Sequence, residues 1–236
     1  MKPEKKAKRA TQSSPLAKNG KKTIADSTDL KPIRRTQAER RQATQEKLVQ
    51  GAIGLLKKKR YSGLRTAEVA AAAGVSKGAQ THHFATKDEL VLLALEEVYR
   101  QSTERSLKKI KGAQQMPKGL IQALIEDSSD FFLGDEFLIS LDLLMSGEDG
   151  DLGAEVRRLA KLYRLQVERS WLDALISSGM EEKKANDVIW LTFSIGRGLG
   201  VRQLMGGASD RFAEVMDTWS KMLITSTAEI KKKRGC

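Results

Sequence analysis

From Thr36 to about Leu56 the apolar residues Leu48, Val49, Ala52, Ile53, Leu55 and Leu56 recur at helical spacing, which predicts one amphipathic helix. Lys57, Lys58, Lys59 and Arg60 follow at its C-terminal end, where cations suit the exposed carbonyls of a helix dipole. A short second helix is predicted over Thr66 to Ala73, burying Val69, Ala70 and Ala73. Gly74 stops it, because glycine enters the left-handed region without a Cβ clash. Val75 then plugs the core, and Ser76 caps a third short helix through about His83. Two short helices across a tight glycine turn make a helix-turn-helix. Thr86-Lys87-Asp88-Glu89 reads as a capping box that opens the next helix, along which Leu90, Val91, Ala94, Leu95 and Val98 form a stripe facing the first helix.

The helical period continues down the chain. Pro117 suits a first turn, Leu120, Ile121, Leu124 and Ile125 follow, and Phe131, Phe132, Phe137, Leu138, Leu141, Leu144 and Met145 carry apolar material to a break at 147–153. A long helix from about 152 to 178 places Leu152, Val156, Leu159, Tyr163, Val167, Trp171 and Ala174 on one stripe, broadened by Leu162, Leu165, Leu172 and Leu175. Gly179 ends it, and a penultimate helix is predicted from about 181 to 205. Gly196 and Gly200 lie four apart in that helix, each at about 1 kcal/mol relative to alanine, which points to a close approach by a partner helix, a ligand or a neighbour in the same subunit. Between the strongly helical segments only Pro117 remains, and no Asn-Gly or Asp-Gly hairpin signal appears, so the fold is expected to be all-α.

Composition narrows the class. With 236 residues, 40 % hydrophobic and 31 % charged, the chain suits a globular protein of one or two domains and excludes a collagen-like or wholly disordered one. The net charge of +12 sits entirely in residues 1–100, which hold 22 Lys plus Arg against 10 Asp plus Glu, whereas residues 101–236 are neutral. A neutral body with a basic head is the electrostatic form of a polyanion binder, and double-stranded DNA is the first partner to consider. Residues 1–35, with 11 Lys plus Arg, three prolines and no apolar period, read as a disordered basic tail that either adds affinity for DNA or merely solubilises.

Catalytic chemistry finds little support. The single cysteine, Cys236, builds neither a disulfide nor a thiolate site within one chain, and a reducing compartment is the natural reading. His82 and His83 are adjacent and cannot form the i,i+4 pair of a helical metal site, so no metal is expected. No nucleophile, histidine and carboxylate set can be assembled, no Walker loop is present, and 196–200 has the wrong spacing for a dinucleotide fingerprint, so neither an enzyme nor a cofactor is expected. The most apolar stretch, Val188 to Met205, carries Arg197 and Arg202 and reads as a buried soluble helix; no signal-peptide core is visible, and a cytoplasmic protein without a membrane partner is expected.

Ala73-Gly74-Val75-Ser76-Lys77-Gly78, followed by His83-Phe84 and Lys87-Asp88-Glu89-Leu90, resembles the DNA-binding domain of the TetR family of bacterial repressors. The likeness covers about residues 36 to 100 and includes Thr36-Gln37-Ala38-Glu39-Arg40-Arg41 at the entry to helix one and Tyr61 after it. It implies a three-helix helix-turn-helix domain over 36–100, a larger helical ligand-binding and dimerisation domain over 101–236, and a homodimeric transcriptional repressor that leaves a palindromic operator when an unknown small-molecule effector binds. Gln80 and Thr81 depart from the family, which has an apolar residue and a phosphate-contacting tyrosine there, and Arg65 replaces a small capping residue.

Within that resemblance, Lys77, Ala79, Gln80 and Thr81 lie on the N-terminal part of the recognition helix, where side chains meet base edges, and Gln80 suits adenine N6 and N7. Thr66, His82, His83 and Lys87 suit phosphates, with Arg65 and Ser76 beside them. Read structurally instead, Thr66 is a cap, one histidine packs on Phe84, and Lys87 is a solvated charge. A ligand pocket is expected among Phe132, Phe137, Asp142, Met145 and Tyr163, which mix apolar walls with a few polar groups. By analogy with the family's paired last long helices, Val167, Trp171, Ala174, Gly196 and Gly200 are assigned to the dimer interface. The rival reading is an architectural, sequence-tolerant DNA binder whose tail does most of the binding.

Overall fold

The computed structural model describes residues 36–147, 150–206 and 209–234; the basic tail 1–35 and Cys236, with the expectations attached to them, lie outside the described residues. The described chain is helical without a strand: α1 (Gln37–Gly63), α2 (Thr66–Ala73), α3 (Lys77–His83), α4 (Lys87–Gly112), α5 (Pro117–Phe132), α6 (Asp135–Ser146), α7 (Asp151–Ser177), α8 (Glu182–Leu204) and α9 (Ser209–Arg234).

Local signals set most of the boundaries. α1 opens on a capping box between Thr36 and Glu39, and α4 on the one between Thr86 and Glu89. Gly74 ends α2 at φ +66, its N–H returning to the carbonyls of Ala70 and Ala71. α1 runs past the expected end at Leu56 but breaks at Arg60, whose φ of +61 and ψ of 176 belong to a region few residues other than glycine adopt.

Leu48, Ala52 and Leu56 of α1 pack with Val69 of α2, Phe84, and Leu90 and Ala94 of α4 to form the head. α4 packs on both α1 and α7, and it passes residue 100 without interruption, so head and body share one helix instead of meeting at a linker. In the body, α5 lies central, packed by α4, α6, α7, α8 and α9, with Leu120, Ile121 and Leu124 fully buried. A polar seam crosses this core. Asp127 of α5 accepts from Ser106 Oγ at 2.9 Å and Trp171 Nε1 at 3.0 Å, Ser128 Oγ donates to the Thr192 carbonyl, and Trp219 Nε1 donates to Thr192 Oγ1 at 2.9 Å.

The dimer assignment made from sequence needs correction. Val167 and Trp171 are wholly buried inside the subunit, and Ala174 is half-buried against the same core. The two α8 glycines serve that core as well. A Cβ on Gly200 would lie 2.3 Å from the Phe132 carbonyl oxygen and 2.8 Å from the Phe137 ring, and one on Gly196 2.6 Å from Ser128 Oγ. Side chains are missing there because α8 approaches α5 and α6 closely, which removes these residues from any surface. The outward apolar positions of α8 include Trp190, 71 % exposed, Leu191, 49 % exposed, and Leu204, 53 % exposed, at its C-terminal end.

Candidate nucleic-acid interface

α3 is held at its start by Ser76, whose Oγ accepts from the Ala79 N–H at 3.2 Å, so the Ser76 hydroxyl is a cap. From there Lys77, Gly78, Thr81 and His82 face solvent, Ala79 is half-buried, and Thr81 Oγ1 donates back to the Lys77 carbonyl. Gln80 does not fit the expectation of a base contact. It is 4 % exposed, and its Nε2 donates to the Phe84 carbonyl at 3.3 Å, a group that the end of α3 leaves without a helical donor. The glutamine thus closes α3 from inside the head.

Around this face the cations gather. Arg65 occupies the N-cap of α2, is exposed and makes no capping bond, so Thr66 is the first helical residue and not the cap. The His82 and His83 rings meet edge-on with centroids 5.9 Å apart, and His83 also lies against Phe84. Burial pushes the His83 pKa below its ordinary value, and the charges of Arg41 on α1 and of His82 push it the same way.

Lys87 differs from expectation. Its ammonium donates to the Tyr61 carbonyl and sits 3.8 Å above the centroid of the Tyr61 ring, so it is committed to the end of α1 and not extended toward a phosphate. Burial, then the charge of Arg65, lowers its pKa, with Asp88 and Asp142 opposing. The break at Arg60 explains this junction. It strips the Tyr61 N–H of its helical acceptor, and Asp142 Oδ2 of α6 takes that N–H at 2.6 Å, while Tyr61 Oη donates to Asp88 at 2.6 Å. The Tyr61 pKa is pushed up to about 12, chiefly by the Asp88 hydrogen bond, then by burial and the Asp88 charge. Asp142 therefore joins body to head.

The other expected pocket residues separate too. Met145 is 61 % exposed on a surface cleft that also holds Tyr61 and Asp88. Tyr163 donates to Glu96 and lines a cleft of about 660 Å³ between α1, α4 and α7, with Gln42, Val49 and Arg100. Phe132 and Phe137 are buried and pack edge to face at 5.3 Å in the core. They belong to a column of rings in which Tyr163 stacks on Tyr99, Tyr99 on Phe131, and Phe132 meets Phe193. Arg164 of α7, which drew no attention in the sequence, lies with its guanidinium 3.7 Å from the Phe131 centroid. Among the described residues no group of three or more His, Cys, Asp or Glu side chains is arranged to hold a metal, and no helix is long and apolar enough to cross a membrane.

Comparison with known proteins agrees with this architecture. Residues 48–94, from mid-α1 into α4, match the family described as bacterial regulatory proteins, tetR family. The HTH-type transcriptional regulator CymR of Pseudomonas putida is 43 % identical over 207 residues, 87 % of this chain and 97 % of that one. Among solved structures, a transcriptional regulator from Saccharomonospora viridis in complex with choline superposes with a TM-score of 0.64 at 16 % identity, covering 76 % of this chain and 96 % of its own. FadR of Bacillus subtilis in complex with stearoyl-CoA gives 0.57 at 17 % identity, covering 75 % and 96 %. Those two likenesses show the fold, and the nearly full-length match to CymR shows the lineage: the chain belongs to the TetR family of transcriptional regulators.

Proposed function

We propose that the protein is a homodimeric repressor that binds a palindromic operator through two copies of α3 and leaves it when a small molecule occupies the body. The observation that carries this reading is the outward face of α3, where Lys77, Thr81 and His82 stand clear of the core. Lys77 and Thr81 are placed to meet base edges, and Arg65, the N-terminus of α2 and His83 to meet phosphates. Trp190 and Leu191 of α8, with Met222 of α9, supply exposed apolar surface of the kind two subunits bury around a two-fold axis. That two proteins of this fold were crystallised with small molecules agrees with an effector-responsive body.

The deciding experiment titrates the full-length protein against the DNA flanking its own gene, with excess unrelated competitor, at about 150 mM salt, where non-specific binding is weak. A saturable complex that survives competitor is expected. Complete loss to competitor overturns the operator reading in favour of sequence-tolerant binding.

A pH dependence follows from His83. Its pKa in the unbound protein is depressed by burial and by Arg41 and His82, and a phosphate beside it favours the protonated ring, so the bound pKa is the higher of the two. DNA binding then takes up a proton. Affinity is flat above the bound pKa, rises as pH falls between the two values, and levels off below the unbound one. Each unit of difference gives about a tenfold gain. Fluorescence anisotropy on operator DNA between neutral and mildly acidic pH reads this directly. His83→Gln is expected to flatten the curve, and a wild-type affinity indifferent to pH would take His83 off the phosphate backbone.

A further inference from the structure

α1 breaks at a residue whose own backbone preference opposes the break. Arg60 holds φ +61 and ψ 176, and among the described residues it is the only one besides glycines at positive φ. Strain of this kind persists only where the surroundings over-determine it. A continuous helix would give the Tyr61 N–H the Lys57 carbonyl and relieve Arg60 at once. Side chains from two other elements compete for the same groups. The Tyr61 N–H donates to Asp142 Oδ2 of α6 at 2.6 Å, the Tyr61 carbonyl accepts from Lys87 Nζ of α4 as well as from the Leu64 N–H, and Tyr61 Oη donates to Asp88. One turn back, Lys57 Nζ pairs with Asp135 Oδ2 at 3.3 Å, so α6 holds the end of α1 at two points.

Lys87 is what the junction withholds. It opens α4 shortly after α3 ends and lies near enough to the exposed Arg65 to feel its charge, yet its ammonium is bonded to the Tyr61 carbonyl and stands 3.8 Å from the Tyr61 ring centroid. Of the side chains on Tyr61, Lys87 and Asp88 belong to α4, and Asp142 alone comes from α6. A cleft of about 520 Å³ lined by Tyr61, Asp88, Met145 and Leu152 lies against the junction and leaves the ring space to move.

We propose that Asp142 is a positioning residue for DNA binding, and that the end of α1 is a latch with two settings. In the closed one, described above, Asp142 keeps the Tyr61 N–H, Arg60 stays strained, and Lys87 is bonded to the Tyr61 carbonyl. When Asp142 lets go, the Tyr61 N–H returns to the Lys57 carbonyl and ψ at Arg60 swings by roughly 140° to the helical value, which carries the Tyr61 carbonyl and ring away from Lys87. The freed ammonium then takes a DNA phosphate near Arg65. The position of α6 thus sets how many phosphates the head holds. The inference rests on the regulator reading above and adds a control to it.

Full-length protein is titrated onto the DNA flanking its gene by fluorescence anisotropy, from about 50 to 200 mM salt. Asp142→Ala should bind more tightly than wild type, and the slope of log affinity against log salt should steepen by about 0.9 per head, about 1.8 for a dimer, because each head gains one phosphate contact. Adding Lys87→Met should remove the extra slope. Asp142→Asn loses the same charge but keeps an oxygen for the Tyr61 N–H, so it should rescue most of the wild-type behaviour. Arg60→Ala and Arg60→Gly remove the same cation, yet alanine opposes positive φ and glycine accepts it, so the alanine variant should bind more tightly. A bond that merely braces the head predicts the reverse, weaker binding once it is lost. If Asp142→Ala weakens binding or leaves the slope unchanged, or if Asp142→Asn matches Asp142→Ala, the latch fails. Lysine acylation without DNA, read by mass spectrometry, separates the two claims, since Lys87 should react faster in Asp142→Ala than in wild type. Faster labelling with no saturable DNA complex in any variant overturns the operator reading and keeps the latch, whereas unchanged labelling beside intact DNA binding overturns the latch alone.

Discussion

Asp127→Ala is expected to lower the stability of the protein by about 2–6 kcal/mol, from two buried donors that each lose their acceptor at about 1–3 kcal/mol. Asp127 is 4 % exposed at the crossing of α4, α5 and α7, and it is the acceptor for Ser106 Oγ and Trp171 Nε1. Removing it strands two buried donors, opens a cavity beside the fully buried Trp171, and withdraws a negative charge that Arg164 feels. Urea unfolding followed by circular dichroism measures the loss as a shift in midpoint. Combining it with Arg164→Met should return part of the loss, because the two charges act on each other. A single-variant cost below about 1 kcal/mol would mean that water replaces the carboxylate, and the seam would then be no structural keystone.

The second large effect concerns DNA. Trp190→Glu places a charge in the centre of the outward apolar face of α8, where the indole is 71 % exposed and outside the subunit core. In the proposed dimer this removes a large apolar anchor and buries a carboxylate. Sedimentation should report the mass of one 26.1 kDa chain, and operator affinity should fall by about 10²–10⁴, the advantage lost when two half-sites are no longer joined. Trp190→Phe should stay dimeric. A Trp190→Glu protein that keeps double mass and full operator affinity would move the interface to another face.

The head of this fold was legible in the sequence because its boundaries are written locally. A threonine with a glutamate three residues on, and a glycine after an alanine-rich turn, act through backbone groups within one turn, so Thr86, Glu89 and Gly74 mean the same in the sequence as in the fold. α9 carries no such local signal, since its buried Phe212, Met216 and Leu223 are sparse in a strongly polar segment. The errors at the site share one origin: each residue's partner is remote or arises from an irregularity. Gln80 looked like a reader of bases because a polar residue on a short helix ordinarily faces water, and the Phe84 carbonyl that draws it inward becomes vacant only where α3 ends. Asp142 looked like a ligand anchor because the N–H it binds is 81 residues away and exists only through the break at Arg60. Arg164 sat in a helix rich in Arg, Lys and Glu, where one more charge reads as surface. Gly196 and Gly200 correctly announced a close approach, but spacing does not say whether the neighbour is in the same chain.

α4 turns such contacts into geometry. Its 26 residues make a rod of about 39 Å, fixed near one end by Tyr61 and Asp88 and touched midway by the Tyr99 and Ser140 hydroxyls that hold it to α6. Were this rod to pivot near Gly112, a sideways movement of about 1.7 Å at Tyr99 would become about 3.4 Å at Lys87, roughly the rise of one base pair. In the proposed regulator, a helix that doubles small displacements would let a shift beside Tyr99 put a reading head one letter out of step.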